Sequence, residues 1–140
     1  MSITRRRTLA MGVASGLVAT LPLRARAVTI VDDLIADFTG GAEIGEGGIT
    51  LTAPEIAENG NTVPISVNAP GAAAIMVLAP ANPVPPVCTF RFGPLAGSQS
   101  ASTRIRLAGT QDVIAIARMS DGSFVQTTTT VKVTIGGCGG

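Results

Sequence analysis

Cys138 is the residue in this chain best placed to do chemistry, and its setting says which kind. It stands in Gly136-Gly137-Cys138-Gly139-Gly140, the last five of 140 residues. Glycine loses more conformational freedom on ordering than any other residue and has no side chain to pack. A segment of this composition is predicted to form a flexible arm, about 16 Å long when its five residues are extended. An exposed thiol ionises near pH 8.5, which leaves only about 3% thiolate at pH 7. The nearest cation in sequence is Lys132, six residues upstream, and glycines carry no base to hold against the sulfur. Such a thiol does not activate itself. The pattern fits a carrier, whose cysteine enters another enzyme's pocket on glycines thin enough to follow it in.

The composition removes most competing chemistries. Histidine, tyrosine and tryptophan are all absent. Without an imidazole base, Ser-His-Asp and Cys-His catalysis are excluded, as are zinc sites built on histidine or several cysteines. There is no CxxC pair, no Walker A loop and no GxGxxG leading into a helix. No cofactor or metal is expected, and the chain reads as a non-enzyme. The carboxylates Glu43 with Glu46 and Glu55 with Glu58 could pair for hydrolysis or calcium, but a solvated surface explains them more simply. Arg104 and Arg106 lie two apart in an alternating run, so both project from one strand face. That face is a possible contact for an anion or for a partner's acidic patch, against the plainer reading of a solvated strand.

The elements that must position Cys138 begin after an export segment. Arg5-Arg6-Arg7, an apolar run from Leu9 to Leu23 and Ala25-Arg26-Ala27 form a basic, apolar and small-residue succession typical of a cleavable signal. The consecutive arginines point to the twin-arginine route and so to a periplasmic protein. A membrane anchor is the alternative, for which about 15 residues are short of the roughly 20 that a span needs. Residues 1–27 are therefore assigned as signal peptide, 28–135 as one folded domain and 136–140 as the arm. From Val28 onward the chain holds five basic and nine acidic residues, a net charge of −4. Nothing in that balance attracts nucleic acid or anionic lipid.

Within the domain, Thr29–Phe38 places Ile30, Leu34 and Phe38 at helical spacing, with Asp32 and Asp33 in the first turn. Thr39-Gly40-Gly41 stops it. This short helix is expected over one end of the domain. The remainder reads as strands over 49–53, 63–68, 72–79, 87–92, 101–107, 112–119 and 124–135. The last two are joined by the hairpin turn Ser120-Asp121-Gly122-Ser123. Pro54–Glu58 reads as a helical turn, ended by the turn signal Asn59-Gly60-Asn61, and Pro64 marks an edge strand or a strand start. About seven strands at short spacing predict a mainly β, immunoglobulin-like antiparallel sandwich with one N-terminal helix. Cys88, in the fourth of these strands, is the only other cysteine. In an oxidising compartment it could pair with Cys138, which would make the chain an interaction module closed by a disulfide. It could also be a buried small hydrophobe or reach a partner subunit.

Pro54-Glu55-Ile56-Ala57-Glu58-Asn59-Gly60-Asn61-Thr62-Val63-Pro64, Thr103–Ala108, Met119–Ser123 and above all Val131–Gly140 carry a resemblance. The chain resembles the SoxY family, the sulfur-carrying subunits of the SoxYZ complex of bacterial thiosulfate oxidation. The resemblance implies a heterodimer with a SoxZ-like subunit and covalent attachment of sulfur to Cys138. It also implies processing by a c-type cytochrome, a manganese hydrolase that releases sulfate and a molybdenum-haem sulfane dehydrogenase. Cys88 departs from the family, which is expected to hold a small apolar residue at that place.

Overall fold

The computed structural model of the chain describes residues 23–137, with side chains from Thr29 onward. Most of the expected signal peptide and Cys138, Gly139 and Gly140 lie outside the described residues. One helix, α1 (Leu23–Thr39), precedes nine strands: β1 (Ile44–Glu46), β2 (Thr50–Thr52), β3 (Ile56–Asn59), β4 (Val63–Asn68), β5 (Ala72–Leu78), β6 (Pro86–Arg91), β7 (Ser100–Ile105), β8 (Gln111–Met119) and β9 (Phe124–Ile135). The larger sheet has the order β1-β9-β8-β5-β6, with β3 also beside β9, and the smaller has the order β2-β4-β7. All pairs are antiparallel except β1 and β3, which run parallel to β9.

Alternation explains the core between the sheets. Val63, Ile65 and Val67 of β4 are buried, as are Ile75 and Val77 of β5, Val113, Ala115 and Ala117 of β8, and Val131 of β9. The side chains between them point to the other face, as the strand period of two requires. On the larger sheet that other face is also covered. Val31, Leu34, Ile35 and Phe38 of α1 pack on Met76, Leu78, Ile114 and Ile116. The Phe38 ring meets Phe124 edge-on, with centroids 5.9 Å apart. The helix therefore lies across the outer face of the larger sheet and not over one end of the domain. Because β5 is buried on both faces it reads as a continuous apolar run, and the strand found there is Ala72–Leu78. Gly40 and Gly41, both in the left-handed region at φ 66° and 80°, end α1 in the manner expected of glycine.

Seven of the nine strands coincide with the segments read from sequence, and two do not. β1 is only three residues long. β3 occupies the place assigned to a helical turn at Pro54–Glu58, and this corrects that assignment. β9 continues beyond Val131, its last residue paired with β8. Ile56, Ala57 and Asn59 pair with Lys132, Val133 and Ile135 of that continuation. A strand with open backbone groups is a strong template, and it outweighs the weak helical preference of Glu-Ile-Ala-Glu. Pro64 is the second residue of β4, a strand that lies between two others. It is tolerated because β2 pairs only with Ser66–Asn68, so at Pro64 only β7 runs alongside.

Candidate functional site: a backbone clasp before Cys138

β9 ends at Ile135, and three backbone hydrogen bonds link Ile135 and Gly137 to Gly60 and Leu107 and those two to each other. The N–H of Gly60 donates to the carbonyl oxygen of Ile135 at 2.7 Å, the N–H of Leu107 donates to that of Gly60 at 2.8 Å, and the N–H of Gly137 donates to that of Leu107 at 2.9 Å. Gly60 and Gly137 are buried, while Gly136 between Ile135 and Gly137 is exposed. The end of β9 is thus held against the turn before β4 and the segment after β7.

Glycine is required here by proximity. A Cβ on Gly60 would fall on the carbonyl oxygen of Leu107, 2.8 Å from the Gly137 nitrogen and 2.9 Å from Val133 Cγ1. A Cβ on Gly136 would fall on the carbonyl oxygen of Ala108, and one on Gly137 would lie 3.0 Å from the Gly60 oxygen. Gly60 is not among the glycines with positive φ. Its part in the Asn59-Gly60-Asn61 turn is therefore a matter of space, not of left-handed backbone. Of the glycines expected from sequence to form the arm, Gly137, the last described residue, is bonded through its N–H to the body, and Gly136 lies close against Ala108.

Two buried side-chain amides brace the receiving segment. Asn82 Nδ2 donates to the Arg106 carbonyl at 2.8 Å, and Asn82 Oδ1 accepts from Ala108 N–H at 2.9 Å and from Gln111 Nε2 at 2.9 Å. Gln111 Oε1 accepts from Ala81 N–H at 2.9 Å. Buried amides stay only when their partners are supplied, and among the described residues no buried side-chain polar atom lacks one. Residues 106–108 are therefore gripped on both sides of Leu107. The hydroxyls of Thr110 and Thr134 add to the hold on β9: Thr110 Oγ1 accepts from Val133 N–H at 2.9 Å, and Thr134 Oγ1 donates to the Glu58 carbonyl at 2.9 Å. Sequence reading missed Asn82 and Gln111. An asparagine in a proline-rich loop and a glutamine at a strand start carry no signal that separates them from ordinary turn residues.

The other residues singled out from sequence lie apart from the clasp or beside it. Arg104 is exposed on β7 opposite Pro64 of β4. Arg106, also exposed, borders a cleft of about 320 Å³ with Asn82, Val84, Pro86 and Val87. Ile105 between them is buried, so both guanidinium groups belong to one outward face. Cys88 of β6 lies opposite Val77 of β5, half-buried against the core. It is a free thiol, and burial pushes its pKa up, so the neutral form prevails. Glu43, Glu46, Glu55 and Glu58 are exposed. Among the described residues no three acidic, cysteine or histidine side chains come together as metal ligands.

Comparison with known proteins gives a consistent picture. The family model described as sulfur oxidation protein SoxY matches residues 35–138 and so includes Cys138. The solved structure of the sulfur carrier protein SoxY from Chlorobium limicola f thiosulfatophilum is 37% identical. It superposes with a TM-score of 0.67 over 77% of this chain and 99% of that one. The superoxide reductase (neelaredoxin) of Ignicoccus hospitalis is 16% identical, with a TM-score of 0.54 over 62% of this chain and 80% of that one. A putative superoxide reductase from Thermotoga maritima is 18% identical, with a TM-score of 0.52 over 69% and 90%. At such identities the two reductases share the sandwich fold alone. No curated protein matches the chain.

Proposed function

Because the chain belongs to the SoxY family of sulfur oxidation proteins, we propose that it is a sulfur carrier in which Cys138 holds the sulfur covalently. The observation that carries this reading is the place of Cys138: the family match extends to it, and it directly follows Gly137, whose N–H is bonded to the body at Leu107. A fixed root with a thiol one residue beyond it suits handing over a bound group. The other thiol, Cys88, is half-buried with a raised pKa, which makes it a poor competitor for attachment.

In the proposed cycle, the Cys138 thiol and thiosulfate join through a new S–S bond. One proton and two electrons leave, the electrons passing to a c-type cytochrome. Water then cleaves the terminal S–S bond of Cys-S-S-sulfonate in a manganese hydrolase, releasing sulfate and leaving a persulfide. A molybdenum-haem dehydrogenase oxidises the outer persulfide sulfur to an S-sulfonate with three oxygens from water, six electrons passing to its acceptor and the protons to solvent, and hydrolysis of that group releases a second sulfate and returns the thiol. The chain supplies the attachment point and its presentation, and the separate enzymes supply the catalysis. A SoxZ-like subunit completes the working carrier.

We place this cycle in the periplasm. Arg5-Arg6-Arg7, the apolar run to Leu23 and Ala25-Arg26-Ala27 support export by the twin-arginine route with cleavage after Ala27. Cleavage there would leave α1 beginning at Val28, which puts Asp32 and Asp33 near its N-terminus, where the helix dipole favours acids.

Intact mass spectrometry of protein purified from the cell envelope tests both statements. The expected result is a chain beginning at Val28 that carries reductant-labile sulfur or thiosulfonate on Cys138, with none in Cys138→Ser. Persistent absence of adducts on Cys138 during thiosulfate oxidation would overturn the carrier reading, and an uncleaved chain would overturn the export reading.

A further inference from the structure

We infer that Gly60, together with the amide pair Asn82 and Gln111 behind Leu107, is the positioning device for the carrier cysteine. The clasp sets where the arm leaves the body and how far its thiol can travel. This inference rests on the reading of Cys138 as the attachment site, and it concerns residues that lie between 27 and 78 positions earlier in the chain.

The structure shows the bonded state, in which Cys138 is rooted at Gly137, whose N–H is held by Leu107; one peptide, about 3.8 Å, separates the Cα atoms of Gly137 and Cys138. If that bond opens, the next hold on the chain is Ile135, which pairs with Asn59 of β3. The Cα of Cys138 then reaches roughly 10 Å from that of Ile135. A carrier serving several enzymes gains from both states. The closed clasp removes the freedom of residues 136 and 137 before any partner is met, so less ordering remains when the thiol enters a pocket. The open clasp supplies length where a pocket is deep.

The side chains point to this role. Gly60 leaves no room for a Cβ, although its φ does not demand glycine. The two bonds from Asn82 to residues 106 and 108 flank the one carbonyl that receives Gly137. A loop needed only to join β7 to β8 has no such requirement, since loops ordinarily satisfy their backbone with water.

The test uses a methanethiosulfonate spin label on Cys138 in a Cys88→Ala background, read by electron paramagnetic resonance. The native clasp is expected to give a slow, anisotropic spectrum. Gly137→Pro deletes the N–H that bonds to Leu107, and Gly136→Ala drives a methyl into the Ala108 carbonyl. Each is expected to convert the spectrum to a fast, nearly isotropic one with the melting temperature unchanged, since both changes lie beyond the last strand. Gly60→Ala should have the same spectral effect. With a partner enzyme, Gly137→Pro and Gly136→Ala should raise KM about tenfold while kcat holds, because only the ordering of the free arm has changed. A native spectrum that is already fast and isotropic, or one unaltered by Gly137→Pro, overturns the inference. Neither outcome depends on sulfur loading, so failure here is separable from failure of the carrier reading.

Discussion

The amide of Gly137 donates to the carbonyl oxygen of Leu107 across 2.9 Å, joining the end of β9 to the segment after β7. Thirty residues of sequence separate the two, and all of β8 and β9 lie between them. The bond ties the smaller sheet's last strand to the larger sheet's longest one, at the point where the chain passes on to Cys138.

Gly60→Ala is expected to lower stability by about 1–3 kcal/mol, because the added methyl overlaps backbone atoms that cannot turn aside. The melting temperature should fall by about 4–8 °C for each kcal/mol in a domain of this size, as calorimetry would show. Gly136→Ala meets the Ala108 carbonyl in the same way, but its strain is relieved by releasing the last residues. Its melting temperature should match the native one.

Asn82→Leu should cost more than its size implies. It leaves the Arg106 carbonyl, the Ala108 N–H and one Gln111 amide proton without the partner they now have. Each group stranded in a buried setting costs about 1–3 kcal/mol. Urea denaturation should show a lower midpoint with an unchanged slope. Arg104→Ala, on an exposed strand face, should stay within about 0.5 kcal/mol.

Ile116→Ala should destabilise the fold by about 2–5 kcal/mol, since Ile116 is fully buried between the larger sheet and α1. Ile30→Ala is the contrasting case. Ile30 shares the helical spacing of Leu34 and Phe38, yet it is 45% exposed, and its loss should be nearly neutral.

Titration of Cys88 should appear in the alkaline limb of stability. Burial raises its pKa above the ordinary value of 9.0, so the folded state holds the proton more tightly than the unfolded one. Its contribution is therefore complete below pH 9.0 and is lost as pH rises towards the folded value. Cys88→Ala should flatten that limb and leave sulfur loading intact. Alkylation of the native protein near pH 8 should mark Cys138 well before Cys88. Equal rates would show that the β6 thiol is not shielded.

Much of the fold was legible because one periodic signal controls it. The buried runs of β5 and β8 and the alternation of β9 declare themselves locally, and Asp121-Gly122 marks the hairpin between β8 and β9. Asp121 accepts from the Ser123 N–H and hydroxyl, bonds that hold its carboxyl below the usual range. β3 was not legible. Ile56–Asn59 takes its conformation from a partner strand about 76 residues later in the chain, and nothing local announces that partner. The glycines around Cys138 announce a thiol without a packed setting. That two of them fit a keyhole depends on Gly60 and Leu107, whose approach only the tertiary fold creates.

β9 also has a mechanical consequence. It is flanked by β8 on one side over eight residues and runs parallel to β1 and β3. A pull on Cys138, such as a departing enzyme would exert on a thiol still lodged in its pocket, acts along β9 and loads those ladders in shear, many bonds at once. The bond from Gly137 to Leu107 stands first in line, outside the ladders. It parts like a fuse, releasing slack before tension reaches the pairing of Ile135 with β3, and it can re-form once the thiol is released.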